Sequence, residues 1–125
     1  MKRRSLIRGA ENVSTTNTEK HQHIRIKMED IEKEVLSWHK KTFPNATNMA
    51  IENKLEEELI ELEDRLIECN IGESKKEIAD VAIVAITLLN RYGTSLLEQI
   101  RDKLEINKGR TWGEEDSQGD RPRFK

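Results

Sequence analysis

Cysteine, net charge and long apolar segments are all scarce in this chain of 125 residues, and each scarcity excludes a class of protein. Cys69 is the one cysteine, which excludes an internal disulfide and predicts a reducing, cytoplasmic location. The 22 basic and 24 acidic residues leave a formal charge of −2, so charge predicts neither nucleic-acid nor membrane binding. No segment approaches the roughly 18 apolar residues of a membrane span, and no apolar stretch follows the basic N-terminus to form a secretory signal.

The apolar content is low for a chain that must fold around a core. Hydrophobic residues make up 34% of the sequence and charged residues 37%. At this length we expect one small domain with a modest core and a highly charged surface. A partner subunit would allow the domain to bury more apolar area.

Both ends of the chain are polar and predict flexible tails around that domain. Residues 1–22 include an uninterrupted polar run from 14 to 18, and residues 114–125 are rich in Gly, Asp, Arg and Pro. Such segments bury too little apolar area to offset the entropy of ordering them. The folded domain is therefore expected over residues 23–113.

Hydrophobic periodicity predicts that the domain is all-α, and a proline separates its first two helices. Apolar residues recur at spacings of three and four over residues 24–41, and Pro44 ends this helix because the residue before a proline avoids the α region. The second helix should begin at Thr47 or Asn48, which are both favourable N-caps, and end before Gly72.

Two further helices follow, each with a sequence signal at its start. The third should run over residues 75–92, where Ser74 and Glu77 match a capping box. Its β-branched content would also suit a strand, but its length without a turn residue favours a helix. The fourth should begin at Ser95 or one residue earlier, since Ser95 and Glu98 form a second capping box.

Two pairs of carboxylates at helical spacing are the candidate metal ligands. Glu58 and Glu61 lie on the second helix and Glu77 and Asp80 on the third, and residues three apart share a helix face. Asp80 directly precedes the apolar run 81–89, where an ionised carboxylate is costly unless it is paired or bound to a cation. If the two helices pack antiparallel, the four carboxylates converge, and such oxygen ligands suit Mg²⁺ or Mn²⁺.

Cationic and polar residues near these carboxylates are candidates for binding phosphate and activating water. Lys103, Asn107 and Arg110 share one side of the fourth helix, and Lys54 lies on the acidic flank of the second. Glu57 is turned about 100° from the ligands and would orient or deprotonate a water, which makes it the candidate catalytic base. Together these residues predict metal-assisted phosphoanhydride hydrolysis.

Several of these residues also have structural interpretations. Trp38, near the end of the first helix, would either join the core or stack on a nucleotide base. Glu77 would act as the reciprocal cap of the third helix. In a non-catalytic helical interaction module, Lys54, Arg65 or a partner would neutralise the carboxylates in place of a metal. A di-iron carboxylate bundle is excluded, because it needs Glu-x-x-His on two helices and no histidine follows His39.

Three motifs, taken in order, resemble the MazG-like all-α nucleoside triphosphate pyrophosphohydrolases. They are Glu57-Glu58-x-x-Glu61, Glu77-x-x-Asp80 and Lys103-x-x-x-Asn107-x-x-Arg110. A narrower resemblance, to the phage-associated dATP/dGTP diphosphohydrolase branch, lies in residues 38–43 and 107–112. The sequence departs from that branch at residues 44–47, Pro-Asn-Ala-Thr, where the branch carries Gly-Pro and then an arginine.

The resemblance implies a four-helix bundle core that hydrolyses a nucleoside triphosphate, with a deoxynucleotide favoured, to the monophosphate and pyrophosphate. It implies that Mg²⁺ is held by four carboxylates and that three side chains of the fourth helix contact the phosphates: Glu58, Glu61, Glu77 and Asp80, and Lys103, Asn107 and Arg110. It also implies a homodimer or homotetramer with sites near the subunit interface. A dUTPase-like hydrolase of the same fold is the alternative within the enzyme class.

Overall fold

The computed structural model describes residues 17–124, with side chains from residue 27 onward, so most of the predicted N-terminal tail lies outside the described residues. Four helices form in this range: α1 (Asn17–Thr42), α2 (Asn48–Ile67), α3 (Ile71–Arg91) and α4 (Leu96–Lys108). Between residues 17 and 124 the only β-type pairing is an isolated bridge between Trp112 and Arg123. The predicted all-α fold is confirmed.

The first helix begins upstream of its predicted start. α1 starts at Asn17, whereas the apolar stripe places the start near Ile24. No glycine or proline interrupts residues 17–42, so the helix continues beyond the residues that carry the apolar stripe. Residues 17–22, which were expected in the flexible tail, are therefore helical.

The turn between α2 and α3 differs from its prediction. α2 ends at Ile67, and the left-handed residue that follows it is Cys69, with φ 58, whereas Gly72 was expected to mark the end of the helix. The N-cap of α3 is Asn70, whose side chain accepts a hydrogen bond from the Glu73 amide at 3.1 Å. Because α3 starts at residue 71, the predicted capping box between Ser74 and Glu77 is wrong. Glu77 lies well inside the helix and is free of a capping role.

The predicted N-caps Thr47 and Ser95 are confirmed, whereas the Glu98 carboxylate accepts from Thr94 Oγ1 at 2.9 Å rather than completing the predicted capping box. Thr47 Oγ1 accepts from the Ala50 amide at 3.1 Å, and Ser95 Oγ accepts from the Glu98 amide at 3.1 Å. Gly93 follows α3 with φ 82, a conformation that favours glycine. Local sequence therefore sets the starts of α2 and α4 and the end of α3.

The helices pack around a small core in which α2 and α3 form the most extensive pair. Ile51, Val84 and Ile86 are the fully buried apolar side chains of residues 27–124. α1 and α4 both pack on α3, and they contact each other where the Glu32 carboxylate accepts from the Leu96 and Leu97 amides. Within the described residues, α4 makes no close backbone approach to α2. Between residues 17 and 124, every helix is too short or too polar to span a lipid bilayer.

The C-terminal segment folds back on itself, although its composition predicts a mobile tail. The Gly113 amide donates to the Pro122 carbonyl at 2.6 Å, and the Phe124 amide donates to Thr111 at 3.0 Å. Gly113 is buried, and a Cβ at this position would lie 2.6 Å from Pro122 Cγ. Arg121 also donates to the Gly113 carbonyl. Backbone hydrogen bonds order the segment, and amino-acid composition alone does not predict such bonds.

Candidate active site

A cleft of about 450 Å³ lies between the end of α1 and the facing sides of α2 and α3. Its α2 wall passes from Ala50 and Ile51 to Lys54 and Glu58, and its α3 wall from Thr87 to Asp80. Aromatic residues near the end of α1 line it as well. The cleft therefore joins an aromatic region to a carboxylate region.

Three carboxylates converge at the acidic end of this cleft. Oxygen atoms of Glu58, Glu77 and Asp80 all lie within 4.8 Å of one another. The short connection between α2 and α3 makes these helices antiparallel neighbours, so the two acidic pairs face each other across the interface. The carboxylate spacing predicts that four carboxylates converge. Among the described residues, Glu61 is not part of this group of three, although its charge acts on Glu58 and Glu77.

Burial and mutual repulsion act together on these groups. Burial raises the pKa of the Glu58 carboxyl above its ordinary 4.5, and the charges of Glu61 and Asp80 raise it further, against the opposing charge of Lys54. Burial likewise raises the pKa of Glu77, and the charges of Glu61, Asp80 and Glu58 add to this effect. Like charges held this close are stabilised by a shared cation.

The available oxygen atoms fit a divalent metal ion. Lys54 Nζ lies 3.4 Å from Glu58 Oε1, so one oxygen of this buried carboxylate has a cationic neighbour. Glu58 Oε2 and Glu77 Oε2 are buried and have no hydrogen-bond partner in the described part of the chain. Buried acceptors without donors are costly, and a cation would satisfy both.

Two predicted residues of α2 occupy different places relative to the carboxylates. Lys54, which was predicted to bind substrate, lines the cleft. Glu57 is exposed, and its Oε1 lies 3.5 Å from Lys54 Nζ. Lys54 therefore lies between the candidate catalytic base and the buried Glu58.

The predicted phosphate-binding side chains do not line the cleft among the described residues. Lys103 and Asn107 lie on α4, but Arg110, which was expected on the same helix, lies beyond its end at Lys108. Among the described residues that line the cleft, none is Lys103, Asn107 or Arg110. Arg110 Nη1 instead donates to Asn107 Oδ1 at 3.0 Å, and Trp112 Nε1 donates to the Asn107 carbonyl at 3.0 Å. Within residues 27–124, one chain thus brings the carboxylates and Lys54 together without these three residues.

An aromatic cluster forms the other end of the cleft. Trp38 and Phe43 meet edge to face with ring centroids 5.8 Å apart, and the His39 ring lies 5.3 Å from Phe43. Trp38 is 51% exposed, which favours the base-stacking interpretation over a core position. Partly exposed aromatic faces at the mouth of a cleft are suited to a planar ring.

The cleft and its acidic end lie within a region that matches a known protein family. The family model for dATP/dGTP pyrophosphohydrolase matches residues 31–124, which hold both the acidic and the aromatic residues. The chain belongs to this family. Its members are nucleotide pyrophosphohydrolases, so the chain is a phosphoanhydride hydrolase of nucleotides rather than a non-catalytic interaction module.

Two relatives of this pyrophosphohydrolase come from cyanophage S-2L. One is a dATP/dGTP diphosphohydrolase, 32% identical over 88 residues, which span 70% of this chain and 80% of the relative. The other is a solved structure of a MazG-like pyrophosphohydrolase bound to dGDP and three catalytic Mn²⁺ ions per active site. It is 28% identical with a TM-score of 0.58, and the match covers 78% of this chain and 92% of the other. The predicted MazG-like fold is confirmed.

Sequence reasoning missed two residues that shape the aromatic end of the pyrophosphohydrolase. His39 lines the cleft, and burial, followed by the charge of Arg91, lowers the pKa of its imidazole. The signal for His39 was its place between Trp38 and Phe43. Arg91 had no signal, because its contacts are with residues more than forty positions away.

Proposed function

We propose that this protein hydrolyses purine deoxynucleoside triphosphates to the monophosphate and pyrophosphate in the cleft between α1, α2 and α3. The observation that carries the proposal is the convergence of Glu58, Glu77 and Asp80 at one end of a cleft whose other end is aromatic. The dGDP bound by the cyanophage relative supports a purine deoxynucleotide as the ligand. The product pair follows from the family to which the chain belongs.

The metal site of the proposal consists of the four acidic residues that were expected to form it. Glu58, Glu61, Glu77 and Asp80 would hold Mg²⁺, with Mn²⁺ as the alternative, because unpartnered buried oxygens of two of them face their acidic neighbours. The ion supplies Lewis-acid polarisation of the phosphoryl group when bound. The Mn²⁺ ions of the cyanophage relative support a divalent cation here.

The protein's own residues would position the substrate and the attacking water. Trp38 and Phe43 would contact the base, and Lys54 would neutralise phosphate charge beside the carboxylates. Glu57 would accept a proton from the water whose oxygen bonds to the α-phosphorus, while the bond to the bridging oxygen breaks and pyrophosphate leaves.

In the proposal, the two α4 residues and Arg110, which follows the helix, reach the substrate only in an assembly. Lys103, Asn107 and Arg110 would contact the phosphates in a homodimer or homotetramer, since α4 does not approach α2 within the described part of one chain. The small core supports an assembly, because Ile51, Val84 and Ile86 are its fully buried apolar residues between 27 and 124.

The reaction is tested by identifying the phosphate product and the preferred base. Purified protein with Mg²⁺ is given each of dATP, dGTP, dCTP, dTTP and dUTP, and pyrophosphate and orthophosphate are measured separately. We expect pyrophosphate as the product, with higher kcat/KM for the two purine nucleotides. Orthophosphate as the sole product would contradict the reaction, and a preference for dUTP would support the dUTPase-like alternative.

The metal site is tested by a measurement that does not depend on turnover. Mn²⁺ at about one hundred times its Kd should stabilise the wild-type protein by about 2.7 kcal/mol, seen as a higher melting temperature. Asp80→Asn should lose this increase and lower kcat/KM by roughly a hundredfold or more. Asp64→Asn, an exposed α2 position, is the matched control and should behave as wild type. Equal metal shifts in both variants would contradict the site.

A further inference from the structure

The loop between α1 and α2, residues 43–47, forms part of the wall of the cleft at its aromatic end. Phe43 and Ala46 of this loop both line the cleft. Its internal hydrogen bond joins the Ala46 amide to the Phe43 carbonyl at 3.2 Å. Such a short, largely exposed segment needs contacts with a neighbouring element to keep one conformation.

Arg91, in the last turn of α3, supplies such contacts. Its Nη2 donates to the Ala46 carbonyl at 2.6 Å, and its Nη1 donates to Asn48 Oδ1 at 2.9 Å. Within residues 17–124, these are the hydrogen bonds that connect this loop and the first residue of α2 to α3. The planar guanidinium fixes both acceptors in one geometry, which a lysine ammonium cannot reproduce.

The same guanidinium lies close to His39, which also lines the cleft. Its positive charge contributes, after burial, to lowering the pKa of the imidazole. His39 packs on Phe43 with ring centroids 5.3 Å apart, so the imidazole and the loop occupy one cluster. Arg91 thus touches the loop, and acts on the ring beside it, from outside the lining of the cleft.

We propose that Arg91 is a positioning residue for base binding, which holds residues 43–48 in place and thereby fixes Phe43 and His39 against the base. The inference rests on the proposed function, because it assumes that the cleft takes a nucleotide. Because the loop is already ordered, nucleotide binding does not include the entropic cost of ordering it. Arg91 acts on KM and leaves the chemistry at the carboxylates to other residues.

The test compares Arg91→Gln and Arg91→Lys with wild type in steady-state hydrolysis of dGTP. Losing two hydrogen bonds to the loop should raise KM roughly tenfold in Arg91→Gln, with kcat within about threefold. Arg91→Lys should recover part of the KM, since its ammonium reaches one acceptor at a time. Arg101→Gln, at an exposed position of α4, is the control and should match wild type.

A second readout follows the loop itself, without nucleotide. Amide hydrogen exchange over residues 43–47 should be roughly tenfold faster in Arg91→Gln than in wild type. Asn48→Ala removes one acceptor from the loop side and should give a smaller increase in both exchange and KM, which keeps the test usable if Arg91→Gln does not fold.

The outcomes separate this inference from the proposed function. If the wild-type protein hydrolyses dGTP but Arg91→Gln leaves KM and exchange unchanged, the inference is overturned alone. A fall in kcat with unchanged KM also overturns it. If the wild-type protein neither binds nor hydrolyses any nucleotide, the proposed function fails and the inference fails with it.

Discussion

At the scale of single residues, the site places carboxylates close together at positions where burial disfavours their charge. Glu58 is 4% exposed and carries an oxygen with no partner among the described residues, while Glu61 and Asp80 add like charge. Such a group costs folding free energy and is tolerated where it binds a ligand. Stability and function should therefore respond in opposite directions when this charge is removed.

Glu58→Gln should make the metal-free protein more stable by roughly 1 kcal/mol, because the amide keeps the shape and removes the buried charge. The same variant should lose the stabilisation that Mn²⁺ gives the wild type. Urea denaturation with and without Mn²⁺ measures both effects. Glu56→Gln, an exposed neighbour, is the control, and a metal-free destabilisation of Glu58→Gln would contradict the prediction.

His39 should make stability depend on pH near its ordinary pKa of 6.5. Its pKa is lowered in the folded state by burial and by Arg91, so the unfolded chain binds the proton more readily. Stability should therefore fall as the pH drops below about 6.5. The melting temperature of wild type minus that of His39→Gln should be smaller at pH 5.5 than at pH 7, because the variant lacks the titrating imidazole. A constant difference would contradict this.

At the scale of elements, the turn between α2 and α3 sets the register of the two acidic pairs. Asn70 caps α3, and Cys69 takes the left-handed conformation that ends α2. These two residues place Glu61 opposite Glu77 by fixing where α3 begins. Gly72 and Ser74 are residue types that are common at helix boundaries, but both lie inside α3.

Cys69→Gly should stabilise the protein by about 0.5–1 kcal/mol, because glycine adopts φ 58 without the strain of a Cβ. The exposed thiol has little packing to lose. Cys69→Ala removes the same thiol but keeps the Cβ, so it should show no such gain. Denaturation midpoints of the three proteins measure the difference, and equal gains for Gly and Ala would show that backbone strain is not the cause.

At the scale of the whole molecule, residues 27–124 of one chain bury little apolar surface among themselves. Large apolar side chains on α2 and α3 remain more than half exposed, among them Ile60 at 55%, Ile67 at 75% and Ile71 at 64%. Exposure on this scale is typical of a subunit rather than of a finished domain. The residues of α4 that a single chain leaves away from the cleft fit the same view.

The protein should therefore assemble with itself. Light scattering coupled to gel filtration should give a mass near two or four times the 14.6 kDa chain. Its melting temperature should rise with protein concentration, because association stabilises the folded subunit. A 14.6 kDa species whose melting temperature is independent of concentration would contradict an assembly.

Local chemistry in the sequence was enough to identify four helices, the caps at Thr47 and Ser95, and the carboxylates of α2 and α3. Helical periodicity and capping involve residues three or four positions apart, so both can be predicted from the sequence alone. The sequence also predicted the divalent-cation chemistry, because Asp80 stands before an apolar run.

Tertiary structure alone decided which of these residues meet. It drew Glu58, Glu77 and Asp80 to within 4.8 Å, left Lys103 and its α4 neighbours off the cleft, and brought Arg91 to Ala46. It also paired the backbone of residues 111–124, whose composition indicates a tail. Contacts between distant residues depend on how helices cross and turns close, and these are properties of packing rather than of any short stretch of sequence.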